Sequence, residues 1–110
     1  MHELSIAESV VEAITARTGA QPVHEVRLEV GRLSGVSADS LRFCFEIATG
    51  GTSIEGAALV IDEPSGEAHC QTCGQDFRVD DLILLCTCGS SDVRVLRGEE
   101  LRIVSVEVAA

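Results

Sequence analysis

Four cysteines within residues 70–88 constrain this chain more than anything else in it. They fall as Cys70-Gln71-Thr72-Cys73 and, twelve residues later, Cys86-Thr87-Cys88. A Cys-x-x-Cys pair chelates because a tight turn brings two thiolates to one side. Two such knuckles complete a tetrahedral S4 set, which suits Zn(II). A glycine follows each pair, Gly74 and Gly89. Glycine accepts positive φ, so the backbone can fold under a metal and aim N–H groups at sulfur. The gap of twelve leaves room for a hairpin between knuckles, as in a zinc ribbon. A structural zinc of this kind contributes on the order of 10–16 kcal/mol to folding. A redox pair or an iron–sulfur cluster would use the same thiolates, whereas a closed S4 set leaves no position for a catalytic water. The second pair is one residue short of the usual spacing. That narrows its bite and predicts either strained geometry or one exchangeable thiolate. His69 stands directly before Cys70 as a spare ligand or, the favoured reading, a solvated loop histidine.

The rest of the composition removes whole classes of function. The chain has 110 residues, with 18 acidic against 8 basic side chains and a net charge of −10. Every basic residue is Arg, there is no Trp or Tyr, and only three Phe are present. Nucleic-acid binding needs a cationic face and often aromatic platforms, so it is excluded. Schiff-base chemistry and Walker-type phosphate binding both need the absent Lys. No nucleophile–base motif appears, so an enzyme is not expected. No run reaches the roughly 18 apolar residues of a membrane span. The first residues carry Glu3, Glu8 and Glu12 with no basic residue before Arg17, unlike a signal or transit peptide. The expectation is a cytoplasmic protein, where thiols stay reduced and clustered cysteines bind metal.

Periodicity then sets the architecture. Leu4, Ala7, Val11 and Ile14 recur at helical spacing, and Gly19 ends that helix. Residues 24–30 alternate, with Val26, Leu28 and Val30 on one face and Glu25, Arg27 and Glu29 on the other, as in a half-buried strand. A second helix over about 38–49 carries Leu41, Cys44, Phe45 and Ala48 as its apolar stripe, capped by Ser37. Cys44 is thereby read as a core residue, apart from the cluster. A short strand follows near Ala57–Ile61, and Pro64-Ser65-Gly66 marks a boundary. Short strands are expected around Phe77–Val79 and Val93–Leu96. A last strand runs over 100–108, with its alternation slipping at Ile103-Val104: either both faces are covered or a bulge sits there. That strand is too apolar to stand beside a small module and should return to the first sheet. The prediction is an α+β fold, a small sheet packed by two helices with an inserted zinc-ribbon-like module. The boundaries expected are 1–64 plus 99–110 for the discontinuous α/β domain and 65–98 for the zinc-binding module.

The first residues, Met1-His2-Glu3, carry a second metal pattern. The bulk of His2 disfavours removal of Met1. The terminal amine and the His2 amide nitrogen close a five-membered ring on a metal, and the amide and imidazole nitrogens close a six-membered one. Glu3 or an outside ligand takes the fourth place. Planar nitrogen coordination favours Ni(II) or Cu(II) over Zn(II). A frayed chain end is the plainer reading of the same three residues taken alone.

Met1-His2-Glu3, an amphipathic first helix, VRLEVGRLSGV around Gly31, the helix sequence SLRFCFE and the late cysteine cluster together resemble the HypA/HybF family. These are nickel-delivery accessory proteins of [NiFe]-hydrogenase maturation. The resemblance covers essentially the whole chain in order. It implies a transported Ni(II) held by Met1, His2 and Glu3, and a structural Zn(II) held by Cys70, Cys73, Cys86 and Cys88. It also implies hand-off with a maturation GTPase to the hydrogenase large subunit, or in some cases toward urease. The alternative is a zinc-ribbon interaction module that carries no metal to anything. Gly31–Leu33 and Arg42 are open to either a partner-contact or a packing reading.

Overall fold

The computed structural model describes residues 2–109; Met1 and Ala110 lie outside the described residues. The chain runs α1 (Glu3–Thr18), β1 (Val23–Val30), α2 (Ala38–Thr49), β2 (Ala58–Asp62), β3 (Gly66–Cys70), β4 (Asp76–Val79), β5 (Val93–Arg97) and β6 (Leu101–Val108). It builds two three-stranded sheets, β2-β1-β6 and β4-β3-β5. The molecule is elongated, 53 × 24 × 18 Å.

The first sheet forms because β1 offers a continuous apolar row. Val23, Val26, Leu28 and Val30 are all buried, while Glu25, Arg27 and Glu29 between them stay partly exposed. β2 pairs with β1 in parallel, so α2 is the crossover of a β-α-β unit. β6 pairs with the other edge of β1 antiparallel, returning to the sheet after the whole cysteine segment. The expected slip in β6 is a bulge: Arg27 pairs with Ser105 and Leu28 with Ile103, which leaves Val104 unpaired.

Both helices pack on this sheet. Leu41 and Phe45 of α2 are buried, and Cys44 and Ala48 lie half-buried beside them. Ser37 caps α2, its hydroxyl accepting the Ser40 N–H at 3.3 Å. In α1, Ala7 and Ile14 are buried and Ile6, Val10 and Val11 flank them. Leu4, expected on that stripe, is instead exposed, lining a cavity with Phe43 and Cys44 of α2, and Ile6 packs against the core. Gly19 ends α1 at φ 60°, its N–H donating to the Thr15 carbonyl. Ile54, from the connection to β2, closes the core completely buried.

The second sheet has a small core of Leu33, Ala68 and Val79, edged by Phe77, Leu84, Val93 and Val95. Its central strand β3 has no apolar signature, and periodicity alone does not predict it. Its residues alternate Gly66, Ala68, Cys70 inward with Glu67 and His69 outward. Leu33 is contributed from the loop after β1, so the two halves share a buried side chain. The same loop is sewn to both crossing segments. Gly31 N–H donates to Glu100 O (2.8 Å), Arg32 N–H to Pro64 O (3.0 Å) and Leu33 N–H to Gly98 O (2.7 Å). At Gly31 and Gly66 a Cβ would collide with the backbone of Gly98 and of Val79 respectively. Of the two readings open for Gly31–Leu33, packing accounts for Gly31 and Leu33. Arg42 also has an internal partner, donating to the Leu59 carbonyl at 2.7 Å.

Candidate metal centres

Two backbone turns bring the four cysteines together. In the first, Cys70 N–H donates to Gln75 O and Gly74 N–H donates to Cys70 O. In the second, Cys86 N–H donates to Ser90 O and Gly89 N–H donates to Cys86 O. The two turns make the same pair of clasps, the second with one residue fewer. Gly74 (φ 78°) and Gly89 (φ 93°) both sit in the left-handed region that favours glycine. The turns are joined by the Thr72 and Ser90 hydroxyls, 2.8 Å apart, and by Gln71 N–H donating to Asp92 O.

All four sulfurs lie within 4.8 Å of one another. Cys70 and Cys88 are 3.7 Å apart, as are Cys73 and Cys86. Four ligands at a Zn–S distance of about 2.3 Å place tetrahedral sulfurs about 3.8 Å apart, so the set fits the ion. Cys70 and Cys86 are buried and Cys73 and Cys88 exposed. The short Cys86-Thr87-Cys88 spacing therefore does not prevent convergence.

The thiols perturb one another strongly. The Cys73 N–H, then that of Thr72, brings the Cys70 thiol down to about 6. At Cys73 the Gln75 N–H acts downward, but burial and the Cys70 and Cys86 thiols leave it raised. At Cys88 the Ser90 N–H also acts downward, yet the Cys86 and Cys70 thiols push it up to about 12. Four thiols this close cannot all ionise without a cation between them. His69 is not in the set. It lies on β3 rather than in a loop, and its Nδ1 meets Asp76 Oδ1 at 2.7 Å across the β3–β4 pair.

The chain start forms a separate concavity. His2 is the N-cap of α1, its backbone extended and its carbonyl accepting the Ile6 N–H; its side chain makes no capping bond. Glu3 reaches across to α2, its Oε2 accepting the Ser37 N–H at 3.2 Å. That hydrogen bond holds the Glu3 carboxyl below its ordinary value. His2 and Glu3 line a cavity of about 490 Å³ together with Asp39, Ser40, Phe43 and Cys44. Met1, the third expected nickel residue, lies outside the described residues. Asp39 was missed by sequence reasoning, since an acid in the first turn of a helix is ordinarily read as a partner of the helix dipole. Only the packing of α1 on α2 brings it to the cavity that His2 lines.

The chain as a whole has matching counterparts among known proteins. The family model described as "Hydrogenase/urease nickel incorporation, metallochaperone, hypA" matches residues 1–108. The chain belongs to the HypA family. A hydrogenase maturation factor HypA of Geobacter metallireducens is 46% identical over 109 residues, covering 98% of this chain and 99% of that one. Its counterpart in Prosthecochloris aestuarii is 47% identical over 110 residues, covering 96% and 97%. Among solved structures, the Ni metallochaperone HypA from Helicobacter pylori superposes with a TM-score of 0.66 at 26% identity, over 100% of this chain and 99% of that one. The α+β architecture is thus that of HypA structures, and the four-cysteine cluster is compatible with the zinc of a nickel/zinc family.

Proposed function

We propose that this HypA family member is a nickel metallochaperone, not an enzyme. It takes Ni(II) as cargo at the start of α1 through the Met1 amine, the His2 amide and imidazole, and Glu3. One observation carries the reading. The His2 imidazole, which makes no capping bond, lines one open cavity with the carboxylate residues Glu3 and Asp39, where the Glu3–Ser37 contact joins the N-termini of α1 and α2. Two helix N-termini favour anions, so the carboxylates are what make this corner acceptable to a cation. The same dipoles oppose the metal and keep its binding weak. Delivery requires such a site, because cargo held in a closed cage is not released.

Zinc would be held by Cys70, Cys73, Cys86 and Cys88 in a structural role. When bound, it supplies the positive charge that lets four adjacent thiolates coexist. The chain's own part is to present them: the glycine turns aim Gln75 and Ser90 N–H groups at Cys73 and Cys88. We assign residues 1–64 plus 99–110 to the nickel-binding part and 65–98 to the zinc-binding module. The recipients proposed are a maturation GTPase and the hydrogenase large subunit, in the cytoplasm, with urease maturation as a second destination. A net charge of −10 attracts cations to the surface.

Titration of zinc-loaded protein with Ni(II) tests this. Wild type should take up about one equivalent. His2→Ala should lose at least roughly tenfold in affinity while keeping its zinc and fold. Equal nickel binding by both proteins would favour the alternative, a zinc-ribbon interaction module with no cargo.

A further inference from the structure

Ser37, the N-cap of α2, uses each of its three polar groups differently. Its carbonyl accepts the Leu41 N–H at 2.9 Å. Its hydroxyl accepts the Ser40 N–H at 3.3 Å. Its own N–H turns away from α2, because an N-cap backbone is extended rather than helical, here at φ −80° and ψ 117°. That N–H donates to Glu3 Oε2 at 3.2 Å, crossing from α2 to the first residue of α1. The residue before it is fixed as well, the Val36 N–H donating to the Ser34 hydroxyl at 3.2 Å. The donor is therefore rigid, held by α2 on one side and by a turn on the other. The Glu3 carboxylate also meets the N–H of its own residue. Among the described residues, the Ser37 bond is the one that carries it outside α1.

We propose that the Ser37 main-chain N–H is the positioning group of the cargo site, a role that rests on the reading of this corner as the place where Ni(II) is held. It occupies Glu3 Oε2 and leaves Oε1 for the metal. A glutamate on an exposed helix end otherwise samples many rotamers, and a metal must stop them all. Holding the side chain beforehand removes that cost from binding. Ligating carboxylates are ordinarily held by such a hydrogen bond, and loss of the holder weakens metal binding by about 10–100-fold. The bond also fixes Glu3 relative to Asp39, which stands two residues after Ser37 and lines the same cavity. Ser37 thus has two separable duties: its hydroxyl caps α2 and its N–H holds Glu3.

Two substitutions in the zinc-loaded full chain separate these duties. Ser37→Ala removes the cap and keeps the N–H. Ser37→Pro removes both, and a φ of −80° already suits proline. Ni(II) affinity, measured by competition with a chelator, should stay within about twofold in Ser37→Ala and fall about tenfold in Ser37→Pro. In a Glu3→Gln background the same proline should cost less than about twofold, since it acts through that carboxylate. Unchanged affinity in Ser37→Pro, an equal loss in Ser37→Ala, or an equal loss in the Glu3→Gln background each overturns the proposal. His2→Ala separates its failure from that of the cargo reading. Nickel retained by His2→Ala removes the cargo site itself. Nickel lost by His2→Ala but kept by Ser37→Pro removes the positioning role alone. Zinc content and circular dichroism report whether Ser37→Pro folds. Where it does not, Glu3→Asp carries the test, being one methylene too short to keep the Ser37 contact. Its Ser37 amide should exchange faster with solvent and its nickel affinity should fall about tenfold. Faster exchange with wild-type affinity overturns the proposal.

Discussion

The Cys86 carbonyl accepts the Gly89 N–H at 2.9 Å, the clasp that Gly74 closes on Cys70 with one residue more between them. The shorter turn works only because Gly89 sits at φ 93°. An L side chain there costs about 1–2 kcal/mol. Gly89→Ala should therefore weaken apparent zinc affinity about tenfold, without changing metal stoichiometry. Competition with a chromophoric chelator measures it. Unchanged affinity would mean that the second turn is indifferent to its glycine.

Leu33 belongs by sequence to the first half and by packing to the second. It is 7% exposed in a small core whose other buried members, among the described residues, are Ala68 and Val79. Leu33→Ala should cost about 2–4 kcal/mol, most of it borne by the cysteine half. Hydrogen exchange should quicken at β3 and β4 amides more than at β1 amides. Uniform quickening would show that the two halves unfold as one unit.

The helices, β1 and the cysteine turns were legible because their signals are local. Spacing fixes the stripe of α2, strict alternation fixes β1, and two cysteines before a glycine fix each turn. What was not legible depends on neighbours distant in the chain. β3 reads Gly-Glu-Ala-His-Cys, and its inward row is small because Leu33 and the backbone of Val79 and Gly98 crowd it. Leu4 matches the helical period but stays exposed, lining a cavity with Phe43 and Cys44 of α2. Asp39 reads as an ordinary first-turn acid, and only the packing of α1 on α2 puts it on the cavity that His2 lines. The slip at Ile103-Val104 was visible in sequence, and the choice of a bulge was made by the Arg27–Ser105 and Leu28–Ile103 pairing.

Glu3 ties the chain start to α2, and the tie has a defined pH dependence. The Ser37 N–H lowers the folded carboxyl value below its ordinary 4.5. A carboxyl lowered on folding contributes stability that is present above its unfolded value and lost as pH falls through its folded one. The tether is thus intact at neutral pH and released only below 4.5. In an NMR titration, the Glu3 carboxyl carbon and the Ser37 amide should share a midpoint below 4.5. Glu3→Gln should abolish the titration at Ser37. A Glu3 midpoint at or above 4.5 would show that the contact does not form in solution.

Removing the metal should separate the two halves. Besides the proposed ligands Cys70 and Cys86, the buried apolar side chains of the cysteine half are, among the described residues, Leu33, Ala68 and Val79, too little apolar area to fold unaided. Cys73→Ala, or a strong chelator on wild type, should release zinc and unfold residues 66–98. The first half keeps its own core of nine buried residues and should remain folded. It should not be unaffected, because β6 must still reach β1 across an unstructured loop of about 33 residues. Closing such a loop costs about 3 kcal/mol in chain entropy. The melting temperature of the remaining α/β part should fall accordingly, and protected amides should persist in β1 and β6 while vanishing from β3. Zinc content undiminished in Cys73→Ala would remove Cys73 from the ligand set.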